Sequence, residues 1–297
     1  MEIENKRRKW KGLYDMPVLQ EIRNKILNNF NNKLQFVEET HQYFLDGIEY
    51  ECVSNITHRY EAFDRDKQLN ICAAKAKKNP NYKYYGMSKK EISELWDKAS
   101  STACDAGTET HEFGESMFYY MIGEDEKILP SAKNKFKNGK PCPSTPKEEQ
   151  VVKFWNDLPE YLIPVLAETK IFNKIGTPYA GTFDILFYYY KEDDLENQGL
   201  VIFDYKTNEK LKSNFNTKML YPFQDMIDEN LSHYTLQLNL YQIPLEEIGL
   251  KVKARRLIWL QEDKYDIIKL KDVRDKLKRD LNFHLGEIKP KNKKVLI

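Results

Sequence analysis

Apolar side chains recur along this chain at two spacings, and the switches between them mark out helices and strands. Leu19, Ile22, Ile26 and Leu27 form one stripe over 15–29, where Asp15 can cap and Pro17 suits a first turn, so a helix is expected there. Residues 34–52 read as a hairpin turning at Asp46-Gly47, a pair that tight two-residue turns favour. Helices are expected over 65–78 and 88–99, the second opened by Ser88 and Glu91 at capping-box spacing, and another over 106–121. Residues 122–146, rich in Lys, Pro, Asn and Ser, read as a surface loop, after which Thr145-Pro146-Lys147-Glu148 starts a helix that ends near Pro159. Strands follow at 165–172, 180–190 and 199–206, then an aperiodic connection from Thr207 to Asn230. A helix over 231–246, strands at 252–260 and 265–270, and an amphipathic helix over 272–286 complete the expectation.

The order α-β-β-β-α-β in the second half predicts an α/β domain with a central mixed β-sheet flanked by helices. The first third is expected to be a mostly helical N-terminal extension that carries the hairpin, so the chain divides as 1–100 and 101–297. With 41% hydrophobic and 13% aromatic residues in 297, there is material for a sizeable core, which excludes disorder of the whole chain. The net charge of +1 hides an asymmetry: Lys251 to Ile297 holds 15 basic against 7 acidic residues, leaving the rest acidic. A basic end on an acidic body suits a protein that holds a polyanion at one place and a cation at another, although a solvated lysine-rich helix gives the same pattern. Four cysteines without a CxxC pair read as reduced thiols. No apolar run approaches the roughly 18 residues of a membrane span. Lys6-Arg7-Arg8-Lys9 lacks the apolar stretch of a signal peptide; such a cluster can touch phosphate or act as an import signal, but is more often a frayed terminus. A cytoplasmic protein, of a bacterial or infected host cell and without a membrane partner, is the expectation.

The chemistry concentrates in two strands. In Ala180-Gly181-Thr182-Phe183-Asp184-Ile185-Leu186-Phe187, the apolar Phe183, Ile185 and Phe187 share one face and Asp184 lies on the other. In Leu200-Val201-Ile202-Phe203-Asp204-Tyr205-Lys206-Thr207, Asp204 and Lys206 share a face. If the two strands form an antiparallel hairpin in suitable register, both carboxylates meet with an ammonium beside them. Carboxylates in apolar strands are costly unless neutralised, and a divalent cation with oxygen ligands does so. An isolated D-x-K is usually a cross-strand salt bridge; the G-x-x-D strand before it changes that weighting. Glu168, opposite in direction to Val165, Ala167 and Ile171, is either an auxiliary carboxylate or half of a structural salt bridge.

At these residues the chain resembles the PD-(D/E)XK nucleases, in their RecB-like branch and with a phage-type look. Gly181-x-x-Asp184 and Asp204-Tyr205-Lys206-Thr207 match the core motif; Gly107-Thr108-Glu109-Thr110-His111 is similar to the branch's G-T-x-x-H helix, and Gln237 to Tyr241 to its Q-x-x-x-Y helix. The motifs span 107–241 in the family's order. Phe183 stands where the strict motif has proline. The resemblance implies a restriction-endonuclease-like core and Mg²⁺ or Mn²⁺ held by His111, Asp184, Asp204 and the carbonyl of Tyr205. It makes Asp184, Asp204 and Lys206 catalytic, with Lys206 orienting or activating water. Gln237 and Tyr241 would steady the lysine or touch DNA, and Glu115, one turn after His111, would assist. No cysteine follows Cys142, so no iron–sulfur cluster is expected.

The implied activity is a deoxyribonuclease, an exonuclease by preference, in recombination, repair or phage DNA processing. Its substrate would be DNA, as a single strand or a duplex end, and a replication or recombination protein is the expected protein partner. Phosphate contacts are expected from Lys210, Lys251, Lys253, Arg255 and Arg256, with Lys212, Lys218 and the terminal lysines as further candidates. Tyr221 and Phe223 are candidates for stacking on bases. Two rival classes stand beside it: a nuclease-fold module that binds nucleic acid without cutting, and a hydrolase of small phosphate esters.

Overall fold

A computed structural model describes residues 2–213 and 216–287. In chain order the elements are α1 (Glu2–Tyr14), α2 (Pro17–Ile26), β1 (Leu34–Val37), β2 (Gln42–Leu45), β3 (Ile48–Cys52), α3 (Val53–His58), α4 (Arg65–Lys78) and α5 (Lys89–Ile122). A two-residue pair, β4 (Phe136–Lys137) and β5 (Lys140–Pro141), precedes α6 (Pro146–Asp157). Then come β6 (Leu162–Asn173), β7 (Tyr179–Tyr189), β8 (Gly199–Lys206), α7 (Asn230–Glu247), β9 (Val252–Leu260), β10 (Tyr265–Lys269) and α8 (Arg274–Asp280). The protein is α/β, with a central mixed sheet flanked by helices. Among the described residues no helix is long and apolar enough to cross a membrane.

β7 organises the sheet. Along one edge it pairs antiparallel with β6 over nearly its whole length. Its other edge is shared: β3 pairs with it in parallel at Tyr179 and Ala180, and β8 pairs antiparallel from Ile185 to Tyr189. Between these partners, residues 181–184 face an opening in the ladder. β9 continues the sheet in parallel with β8, and β10 closes it. Phe203 and Tyr205 of β8 pack on Phe154 of α6, while Lys206, on the alternate side, meets Tyr234 of α7. The two helices therefore cover opposite faces.

Several expectations need correction. The two helices over 88–99 and 106–121 are one helix of 34 residues, opened by the Ser88–Glu91 capping box. Alanines and small polar residues between them carry no apolar period but do not break a helix. The boundary at residue 100 falls inside this helix, and β3 joins the central sheet, so the N-terminal segment shares the main core. Lys6-Arg7-Arg8-Lys9 lies in α1, which is docked: Trp10 is fully buried edge-on to Trp155, Arg7 pairs with Asp125 and Lys9 with Glu160. Met16, not Asp15, precedes α2, and the last helix is shorter than expected, ending at Asp280. The Asp46-Gly47 turn forms with both residues at positive φ (52° and 75°).

Gly114 sets how closely α5 approaches the sheet. A Cβ there would lie 2.5 Å from a ring carbon of Tyr205, itself buried and receiving a hydrogen bond from Trp155 Nε1–H at 3.1 Å. Gly114→Ala gains about 1 kcal/mol of helix propensity but overlaps a ring that cannot move. The expected outcome is a net loss of about 1–3 kcal/mol in urea unfolding.

Candidate active site

Strand register brings three carboxylates into line. Ala167 pairs with Ile185 and Thr169 with Phe183, which sets Glu168 across from Asp184. Ile185 pairs with Phe203, and one step further Asp184 lies across from Asp204. There the ladder opens: the backbone N–H of Tyr205 donates to Asp184 Oδ2 at 2.7 Å instead of to a strand carbonyl. Three acids on three neighbouring strands thus surround the gap in the sheet. Glu168 takes a left-handed backbone, φ 40°, which costs a non-glycine residue of order 1–3 kcal/mol and persists where surrounding structure imposes it.

α5 and α7 complete the site. His111 Nδ1 lies 3.2 Å from Asp184 Oδ2, with its ring edge-on to Tyr205. His111, Glu168 and Asp184 each offer a ligand atom within 4.8 Å of the others, close enough to hold one metal ion. The Lys206 ammonium lies 2.5 Å from Asp204 Oδ2 and 4.4 Å from the ring centroid of Tyr234. Tyr234 is fixed in turn by donating its hydroxyl to Asn208 Oδ1 at 2.6 Å. Gln237 donates to the Tyr241 hydroxyl at 2.8 Å, joining the two polar ends of that motif one helical turn apart. Gly181 has a steric reason: a Cβ would stand 2.8 Å from the Tyr241 ring and 3.0 Å from Val53.

Electrostatics here are dominated by burial. The Asp204 side chain is 1% exposed, with Oδ2 against the Lys206 ammonium and Oδ1 without a hydrogen-bond partner. Burial, then the neighbouring Asp184 charge, push its carboxyl up to about 6, against the pull of Lys206. Glu168 is pushed well above the usual carboxylate range by burial and then by Asp184. Asp184 goes the other way: burial raises it, but His111, Lys206 and the Tyr205 N–H together hold it below its ordinary value. Burial also works against charge on His111 and Lys206, yet the adjacent carboxylates outweigh it and both are raised. The unpartnered Asp204 Oδ1 and the pushed-up Glu168 mark a crowding of carboxylates that a divalent cation would relieve, and the imidazole and carboxylate donors suit one.

The remaining expected residues fall in different places. Glu115 is half-buried, raised by burial, and accepts from Tyr119 at 3.3 Å, outside the three-residue cluster. Lys210 lines a cleft of about 460 Å³ that shares Tyr234 and Gln237 with the site. Lys251 and Lys253 lie at the opposite end of the sheet, beside Leu200, about 13 Å along the strand from Asp204. There Lys251 reaches the Glu196 carbonyl and Lys253 the Tyr189 ring. Arg255 is buried and bonded to Gln242, with Asp272 nearby, and Arg256 is held against the Arg255 carbonyl. These four are not brought to the carboxylates. Lys218 sits in a bridge to Ile227, and the terminal lysines 289–294 lie outside the described residues. Tyr221 is 75% exposed, whereas Phe223 is buried against Tyr60 and cannot stack on a base.

Glu168 makes no ion pair among the described residues, so the salt-bridge alternative is set aside. Tyr234 and Tyr43, which meets Thr182 across a 3.0 Å hydrogen bond beside Asp184, are site residues that the motifs do not contain. Only the i, i+3 spacing of Tyr234 with Gln237 on α7 hinted at the former. No family model, curated protein or solved structure matches this chain.

Proposed function

We propose that this chain is a Mg²⁺- or Mn²⁺-dependent DNA nuclease of PD-(D/E)XK type, built on a restriction-endonuclease-like core. The observation that carries this reading is the convergence of Glu168, Asp184 and Asp204 with His111 and Lys206 at the gap between β3 and β8. His111, Glu168 and Asp184, whose ligand atoms cluster, would hold the metal, and Asp204, which lies outside that cluster against Lys206, and the Tyr205 carbonyl would add the oxygens that the family resemblance implies. When bound, a divalent ion polarises a phosphoryl oxygen and lowers the pKa of water.

The chain's own groups do the rest. Lys206 is kept as an ammonium by Asp204 and Asp184, so it acts as a cation that orients water and balances charge building on the phosphate. Tyr234 restricts where that ammonium can point. Tyr241 fills the wall beside Gly181, and Gln237, on the wall of the cleft, donates to its hydroxyl and is placed to touch the DNA backbone. Cleavage leaves a 5′-phosphate and a 3′-hydroxyl.

The test is cleavage of end-labelled DNA with Mg²⁺ or Mn²⁺ against a chelator, for the wild type and Asp204→Ala. Activity is expected only in the wild type with metal. Equal cleavage by both proteins would remove the site from the chemistry. Binding without cleavage on any DNA would favour a non-cutting module.

A further inference from the structure

We propose that α4 and the middle of α5 form an arm that grips the phosphate backbone of DNA away from the scissile bond. The proposal rests on the nuclease reading, to which it adds a substrate-binding surface. α5 is about 51 Å long. Its last four turns pack on the main core, and its first turns join α4 in a separate cluster of Leu69, Ala76 and Ile92. Between them, residues 97–106 are exposed on every side of the helix. A helix with no buried face there is a bridge through solvent, and the body gains nothing from it by packing.

Composition and position say what lies against it. Residues 65–106 carry nine Lys or Arg against five Asp or Glu, a basic unit on a chain whose total is only +1. Lys67, Lys77, Lys78 and Lys98 are exposed, and none is in an ion pair among the described residues. The bridge, Ala99-Ser100-Ser101-Thr102-Ala103-Cys104-Asp105-Ala106, offers small side chains and no aromatic or aliphatic anchor of the kind that dominates protein interfaces. The exposed Ile71, Tyr85 and Leu95 all precede it.

The bridge also runs into the catalytic centre. A Cβ on Gly107 would lie 3.3 Å from Thr207, the residue after Lys206. At the other root of the arm, Phe63 is 52% exposed on the lip of the 460 Å³ cleft, immediately before the Asp64 cap of α4. Both roots therefore border the cleft beside the place where a scissile phosphate would sit, and the unpaired lysines lie along the two helices that lead away from it.

The experiment compares DNA binding by fluorescence anisotropy, in chelator, for the wild type and the Lys67→Gln, Lys77→Gln, Lys78→Gln, Lys98→Gln combination. Affinity is expected to fall at least about 10-fold, and the slope of log K against log salt to shrink by about 3.6, near 0.9 for each of the four phosphates no longer neutralised. Lys251→Gln with Lys253→Gln is the reference at the far end of the sheet; an equal loss per charge there overturns the arm. Maleimide labelling of the exposed Cys104 is expected to slow when DNA is bound, and an unchanged rate at saturating DNA also overturns it. Since neither readout needs turnover, a protein that cuts DNA with unaltered arm-variant binding loses only the arm. One that grips through the arm but never cuts loses only the nuclease assignment.

Discussion

Glu168→Ala is expected to lower metal-dependent cleavage by more than about 10²-fold, as far as Asp184→Ala does, with little change in folding. The side chain sits across β7 from Asp184 and shares with His111 and Asp184 a space that one cation can fill. It has no ion-pair partner among the described residues whose loss would unsettle the fold. Its backbone at φ 40° is strained, and strain at an acidic residue inside a strand is sustained more readily by function than by packing. A structural glutamate would behave differently: Ala would leave turnover near wild type and change only stability. Glu168→Gln separates charge from shape, because the amide keeps the volume and one acceptor but removes the anionic ligand. Single-turnover rates at saturating Mn²⁺ decide it, and a Gln variant within about threefold of wild type would exclude Glu168 from the metal set.

Much of this site was legible in the sequence alone. Asp184, Asp204 and Lys206 could be placed because strand alternation is strict and the β7–β8 hairpin has a short, polar connection. His111 could be placed on a helix, though not at 3.2 Å from Asp184, since no local pattern encodes which way a helix crosses a sheet. Glu168 stayed ambiguous for a definite reason. Its role depends on β6 pairing with β7 at one register, shifted by an irregularity between Pro164 and Leu166, and a slip of one residue would have turned it to the other face. The basic residues of β9 were misleading in the opposite sense. Their charge is plain in the chain, but parallel pairing with β8 sends Lys251 and Lys253 to the far end, and Arg255 is drawn toward Gln242 and Asp272. α1 was not expected because Trp10 is the one apolar side chain fully buried among its described residues, with Ile3, Leu13 and Tyr14 only partly covered and basic residues between them. The fusion of two expected helices into α5 shows the converse: small residues without an apolar stripe continue a helix when both ends are anchored.

The thermal stability of the metal-free protein is expected to fall as pH rises from about 5 to 8, and Mn²⁺ is expected to reverse that trend. Asp204 is raised from 3.8 to about 6, and Glu168 is raised further above its ordinary value, so the folded state binds protons more tightly than the unfolded one at both. Stability from such groups is complete below the unfolded pKa and is lost as pH climbs through the folded pKa. His111, also raised, has the same sign in this window, losing its contribution as it deprotonates. Asp184, held low, contributes oppositely, but only below about pH 4, and Lys206 only in the alkaline range. For Asp204 alone, moving the carboxyl to about 6 costs the ionised fold roughly 3 kcal/mol. A bound cation turns the same charges into ligands. Because it needs ionised carboxylates and a neutral imidazole, its uptake releases protons, and its stabilisation should grow with pH and vanish below about 6. Melting curves across this range with Mn²⁺ and with chelator test the sign. Calorimetry in buffers of different ionisation enthalpy counts the protons, at least one being expected near neutral pH. Metal binding with no proton release, or a metal-free protein that gains stability toward pH 8, would mean that these carboxylates are not buried together as an unneutralised cluster.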